Sequence, residues 1–147
     1  MGDDGPTFGG DERDFVLDTT HFPVVRMIFP RIGNHESIDK NMVNMLALCA
    51  TERIAVIGDS RQLDVKTVTP TIRKHFFDKV NEFSALRGHH MLGEAALVGN
   101  WVHKHFYQAY LWMKTDRPYP TKAFDDEELA LAWCRSLVAD AHAEQAG

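Results

Sequence analysis

Gly58-Asp59-Ser60 closes an apolar run. A serine in that place can act as a nucleophile if a histidine base and oxyanion donors such as Gly and Asn stand within hydrogen-bond reach. The companions on offer are Gly99-Asn100, after the next apolar run, and Asp140 with His142 near the C-terminus. Downstream, the polar stretch GDSRQLDVKTVT carries Asp59, Ser60, Asp64, Thr67 and Thr69. These are groups suited to hydrogen bonding a partner, at the carboxyl edge of a strand where open α/β sheets place their sites. Thr69 stands directly before Pro70 and reads first as a helix cap.

The eight histidines invite a metal reading, but their spacing opposes it. His103 and His105 are two apart on a helical stretch and do not share a face, unlike the i, i+4 pair of a helical zinc site. His89 and His90 begin a strand, where neighbours point to opposite sides. No metal is assigned and no cofactor is expected. Cys49 and Cys134 fall on apolar helical stripes and read as small buried hydrophobes, with a disulfide left open. A third group is the aromatic helix from Trp101 to Met113. Val102, Phe106, Ala109, Tyr110 and Met113 occupy one face, and Trp101, His105 and Trp112 another. The second face is a candidate hydrophobic interface or ligand wall, unless the last helix buries it.

The elements that must position these groups follow from periodicity. Asp14–Asp18 and Val24–Phe29 read as a hairpin, with Pro23 in its turn or at the strand start. Ser37 can cap a helix with Ile38, Met42, Met45, Leu46 and Cys49 at helical spacing. Arg53–Gly58 is nearly all apolar, as in a central strand covered on both faces. Thr69-Pro70 opens a helix striped by Ile72, Phe76, Val80 and Phe83, and Gly88 can supply a left-handed end. Met91–Val98 is the next strand and Asn100 caps the aromatic helix. Pro118 and Pro120 force an extended path into a short edge strand, Thr121–Phe124. Asp125 with Glu128 makes a capping box for a helix striped by Leu129, Ala130, Trp133, Cys134, Leu137, Val138 and Ala141.

The order ββαβαβαβα implies one α/β domain over residues 14–141. It predicts a mixed, mostly parallel sheet of about five strands with four helices. Residues 1–13 read as a disordered tail and 142–147 as a frayed end. At 147 residues and 44% apolar content the chain can bury a real core. A net charge of −5 opposes a nucleic-acid footprint. Lys104, Lys114, Arg117 and Lys122 make at most a local basic patch. No window approaches the ~18 uninterrupted apolar residues of a membrane helix. The acidic, Gly-rich start is no secretory signal, so the cytoplasm is the expected compartment and no integral membrane segment is expected.

The segments Ala95–Val98, Trp101–Met113, Pro118–Phe124 and Asp125–Trp133, read together, resemble the SpoIIAA-like branch of the STAS superfamily, named after sulphate transporters and anti-sigma-factor antagonists. The resemblance spans roughly 14–141 and is carried by the C-terminal third. It implies a non-enzymatic regulatory or protein-interaction module, with a protein partner or a homodimer. Some relatives are compared with lipid-binding SEC14-type domains, which implies the alternative of a small apolar-ligand carrier. Anti-sigma-factor antagonists carry a phosphorylatable Ser in Asp-Ser-[Ser/Thr]-Gly at the start of the second helix. This chain has LDVKTVTPT there, with Thr67 and Thr69 the nearest hydroxyls. A weaker likeness is to GDSL-type hydrolases. Against it, the Gly58-Asp59-Ser60 block lies mid-chain, and one residue, not two, separates Asp140 from His142.

Overall fold

In the computed structural model the described residues are 7–8, 12–100, 104, 105, 108 and 119–146. They form a single α/β unit around a mixed sheet in which sequence order and spatial order coincide. The strands are β1 (Thr7–Phe8), β2 (Val16–Asp18), β3 (Val24–Ile28), β4 (Ile54–Asp59), β5 (Met91–Leu97) and β6 (Thr121–Phe124). β1–β2 and β2–β3 pair antiparallel, and β3 to β6 run parallel. The five strands read from the sequence are therefore joined by a sixth, two-residue strand from within the expected tail.

Parallel neighbours need crossovers, and these carry α1 (His35–Leu48) between β3 and β4 and α2 (Pro70–Arg87) between β4 and β5. A right-handed crossover between strands laid down in order puts both helices on one face. Phe15, Leu17, Val25, Met27, Ile54 and Val56 meet Ile38, Met45, Cys49 and Phe83 there. The opposite face is covered by α3 (Glu127–Ala146), whose Ala130, Cys134 and Ala141 pack on Val24, Ala55, Ile57, Ala95 and Leu97. All six residues of β4 are buried, because it lies near the middle of the sheet with helices on both sides. β5 is covered likewise, by α3 through Ala95 and Leu97 and by Phe77 and Val80 of α2 through Ala96 and Val98. Gly93 makes the α3 contact close: a Cβ there would press into Leu137 Cδ1 and come within 3.3 Å of the Trp133 ring.

Several local expectations shift. The cap of α1 is Asn34 rather than Ser37. The Asn34 Oδ1 accepts from the Ser37 N–H at 2.9 Å, and Ser37 lies inside the first turn. Gly88 does not turn left-handed; at φ −56° and ψ −33° it stays right-handed and leads into a 3-10 turn, Gly88–His90. The cap of α3 is Asp126, one residue past the expected Asp125, and its Oδ1 accepts from the N–H groups of Glu128 and Leu129 at 2.8 and 3.1 Å. Leu129, expected in the stripe, is 59% exposed. Helix α3 continues to Ala146, past residue 141.

The expected fourth helix lies mostly outside the described residues. Lys104, His105 and Gln108 within it are helical, and the Lys104 N–H donates to the Asn100 carbonyl at 3.0 Å. Both cysteines are free and buried. They sit on opposite faces of the sheet, which rules out their pairing. No helix among the described residues is long and apolar enough to cross a membrane.

Candidate functional site

The carboxyl ends of β3 and β4 gather the polar side chains into one region. Arg26 pairs in register with Ile57, so its side chain rises on the α3 face of the sheet. Asp59, two residues beyond Ile57, shares that face. A charged residue in the middle of VVRMIF must find an opposite charge, since burying it alone is costly. The Arg26 Nε and Nη2 donate to Asp59 Oδ2 at 3.2 and 2.7 Å. Arg61 folds back over the same carboxylate, with its Nε on Oδ1 and its Nη2 on Oδ2, both at 2.9 Å. Its backbone N–H adds a third bond to Oδ1 at 3.1 Å. Glu127 closes the cluster from the first turn of α3: its Oε1 lies 2.9 Å from Arg26 Nη2 and 2.8 Å from Arg61 Nη2.

Asp59 is 3% exposed. Burial alone would raise its pKa, but the hydrogen bonds from Arg61 and Arg26 outweigh it and hold the carboxyl below the usual carboxylate range. The same contacts raise the Arg61 pKa. Asp59 is thus an ionised anchor with no free face.

The loop that follows is strapped to the segment after β3. Leu63 is buried beneath it, the Gln62 amide donates to the Phe29 carbonyl at 2.8 Å, and the Asp64 N–H donates to the Arg31 carbonyl at 2.9 Å. Each hydroxyl singled out in the sequence already has work. The Ser60 Oγ donates to the Leu97 carbonyl at 3.4 Å. The Asp64 Oδ1 accepts from the Lys66 N–H at 3.1 Å and so starts the 3-10 turn Val65–Thr67. The Thr67 hydroxyl donates to the Asp64 carbonyl at 2.6 Å and accepts from the Gly33 N–H at 2.8 Å. Thr69 caps α2, accepting from the Ile72 N–H at 3.2 Å. Ser60, Asp64, Thr67 and Thr69 share this loop, while Asp59 lies beneath it. A phosphate on Thr67 would first have to break its bond to the Asp64 carbonyl.

On the other face, below the same loop, Phe15, Phe29 and Phe76 meet in an aromatic cluster with ring centroids 5.1, 5.5 and 6.5 Å apart. Ile38, Leu63, Val68 and Ile72 complete an apolar cleft with Arg73 on its lining. Its interior space is about 30 Å³, close to the share of one water molecule in the liquid.

The remaining candidates do not join the site. His142 lies about 22 Å along α3 from Glu127 at 1.5 Å per residue, and Glu127 is the end that touches Arg61. Ser60 and His142 therefore stand at opposite ends of the sheet. His105 is exposed. Trp101 and Trp112 lie outside the described residues, as do His103, Lys114 and Arg117. His90 bonds the Cys49 carbonyl through Nδ1. Among the described residues, no group of three or more His, Cys, Asp or Glu is placed to hold a metal ion. Sequence reading missed Arg26, Arg61 and Glu127 as partners of Asp59. The signal was there in part: one arginine and one aspartate, each attached to an otherwise apolar strand. The aromatic trio comes from before β2, after β3 and within α2, and had no local signature.

Comparison with protein-family models, with curated proteins and with solved structures finds no match.

Proposed function

We propose that the chain is a non-enzymatic regulatory binding module, similar to SpoIIAA-like STAS domains, that engages a protein partner through residues 60–69 and their surroundings. The observation that carries this reading is the state of that loop. It is polar and largely exposed at its tip, and it is fixed by its own side-chain bonds to the segment after β3, to β5, within itself and to α2. A pre-ordered polar surface loses little entropy on docking. Asp59 supports it from beneath, held by the folded-back Arg61, and Asp64 and Lys66 are exposed. The partner is a second protein, with another copy of this chain as the alternative.

The test is affinity capture from the source cell with wild type beside Lys66→Glu, with Glu144→Lys at the far end of α3 as control. A protein held by wild type and the control but lost with Lys66→Glu supports the reading. The same set held by all three contradicts the assigned surface.

A second reading, a small apolar-ligand carrier, draws on the Phe15–Phe29–Phe76 cleft. Its hollow is water-sized as it stands, so a ligand would have to push Phe29 or Phe76 aside. Solvatochromic fatty-acid probes test it: saturable binding lost in Phe76→Ala would favour the carrier.

A further inference from the structure

The cluster around Asp59 has one fixed anion and one removable anion. Asp59 sits underneath, buried and gripped by five hydrogen bonds. Glu127 sits above, with its side chain 45% exposed, and among the described residues its carboxylate is held only by the two guanidiniums, both on the single oxygen Oε1. The Nη1 groups of Arg26 and Arg61 have no partner among the described residues. Two guanidiniums against one fixed carboxylate leave one positive charge that Glu127 neutralises from its own chain.

Beside Arg26 and Glu127 lies a partly polar hollow of about 70 Å³, walled by Asp18, His21, Arg26 and Glu127 over Val24, Ile57 and Leu131, with Arg61 at the far side of Glu127. The first turn of α3, a 20-residue helix, adds its partial positive charge. Of the other charged groups facing the hollow, Asp18 opposes an incoming anion. His21 accepts from Arg135 Nη2 at 3.0 Å.

We propose that Arg26 and Arg61 form a phosphate-binding site that Glu127 occupies in cis and that an incoming phosphate group takes over. Planar guanidiniums with spare N–H donors match a phosphate's several oxygens. A phosphate ester also carries about 1.5 to 2 negative charges at neutral pH, more than the carboxylate it replaces. The exchange breaks no covalent bond; one anion leaves the guanidiniums as another arrives. This inference deepens the binding-module reading by giving the partner's chemistry, a phosphorylated group docking beside the loop at 60–69.

The experiment is an NMR titration of the purified full chain with inorganic phosphate, following the arginine Nε–Hε signals at constant ionic strength with chloride as control. Saturable shifts at Arg26 and Arg61 are expected, with Glu127→Gln binding about tenfold tighter, because removing the internal charge removes the competitor. Glu127→Gln combined with Arg61→Gln should lose saturation. Saturation in Glu127→Gln alone, with none in wild type, also supports occupancy in cis. No saturation in folded Glu127→Gln overturns the site, and so does equal affinity with and without Arg61. Because no partner protein is present, failure here leaves the docking surface standing, and loss of capture with intact phosphate binding would do the reverse.

Discussion

One end of the sheet carries two unlike constructions back to back. On the α3 side, four charged side chains from β3, β4, the following loop and α3 are joined by hydrogen bonds and one ion pair at 2.7 to 3.2 Å. On the α1/α2 side, three phenylalanines from three separate parts of the chain meet around a water-sized gap. The first is directional and turns on the buried Asp59 carboxylate. The second is non-directional and can repack. The strand ends are thus held rigidly from one side and packed adaptably from the other, and substitutions on the two sides should fail in different ways.

The largest break is expected at Asp59. Asp59→Asn leaves two guanidiniums without their buried counter-charge, and losing one partner of a buried pair costs about 3 kcal/mol or more. Urea unfolding should show it as a lowered midpoint. A loss below about 1 kcal/mol would mean that the cluster is dispensable. On the aromatic side, Phe76→Ala should cost about 2 kcal/mol, since its ring is only half-buried and neighbours can close in. Adding Phe29→Ala should cost less than the sum of the two single losses, whereas Asp59→Asn with Arg26→Met should recover part of the first loss.

The acid response separates the sides as well. Asp59 has a folded pKa below its unfolded value, so the unfolded chain binds the extra proton. The stabilisation is fully present above the unfolded value of about 3.9 and is lost as pH falls through the lower folded value. Wild type should therefore lose stability steeply below about pH 4, and Asp59→Asn should show a shallower slope in the same window. Phe76→Ala should keep the wild-type slope.

Smaller effects follow. Thr69→Ala removes the cap of α2 and should cost about 1 kcal/mol, whereas Lys66→Glu on the same loop should stay within about 0.5 kcal/mol. Cys134 should resist thiol reagents in the native state. Burial pushes its thiol up to about 12, and the Cys49 thiol is raised for the same first reason, desolvation. Labelling of either cysteine faster than global unfolding would show that its side of the sheet opens locally.

Much of this architecture was readable from local chemistry. The Thr69-Pro70 start and the edge strand after Pro120 each depend on neighbours in sequence and stand where their signals put them, and the central strand read at 53–58 lies one residue on, at Ile54–Asp59. Cap positions near Ser37 and Asp125 missed because side chains with similar capping power stood within a few residues, at Asn34 and Asp126. Only the geometry of the turn selects among them. Gly88 failed for a related reason: glycine permits the left-handed region without requiring it. The site was half legible. Asp59 and the loop hydroxyls were identified, but their partners arrive from β3 and α3, far away in sequence, and no periodicity reports such a meeting. The consequence is that Asp59, a candidate for hydrogen bonding a partner, instead holds the surface in place from beneath, while Lys66 is exposed on the loop above it.

Site-specific photo-crosslinking in the source cell tests the central claim most directly. A crosslinking residue at position 66, on the loop beside the charged cluster, is compared with one at position 144, at the opposite end of the sheet. A discrete adduct with one protein at 66 and none at 144 is the expected result. Equal adducts at both positions, or an adduct at 144 alone, would contradict the assignment of the binding surface to the ends of β3 and β4.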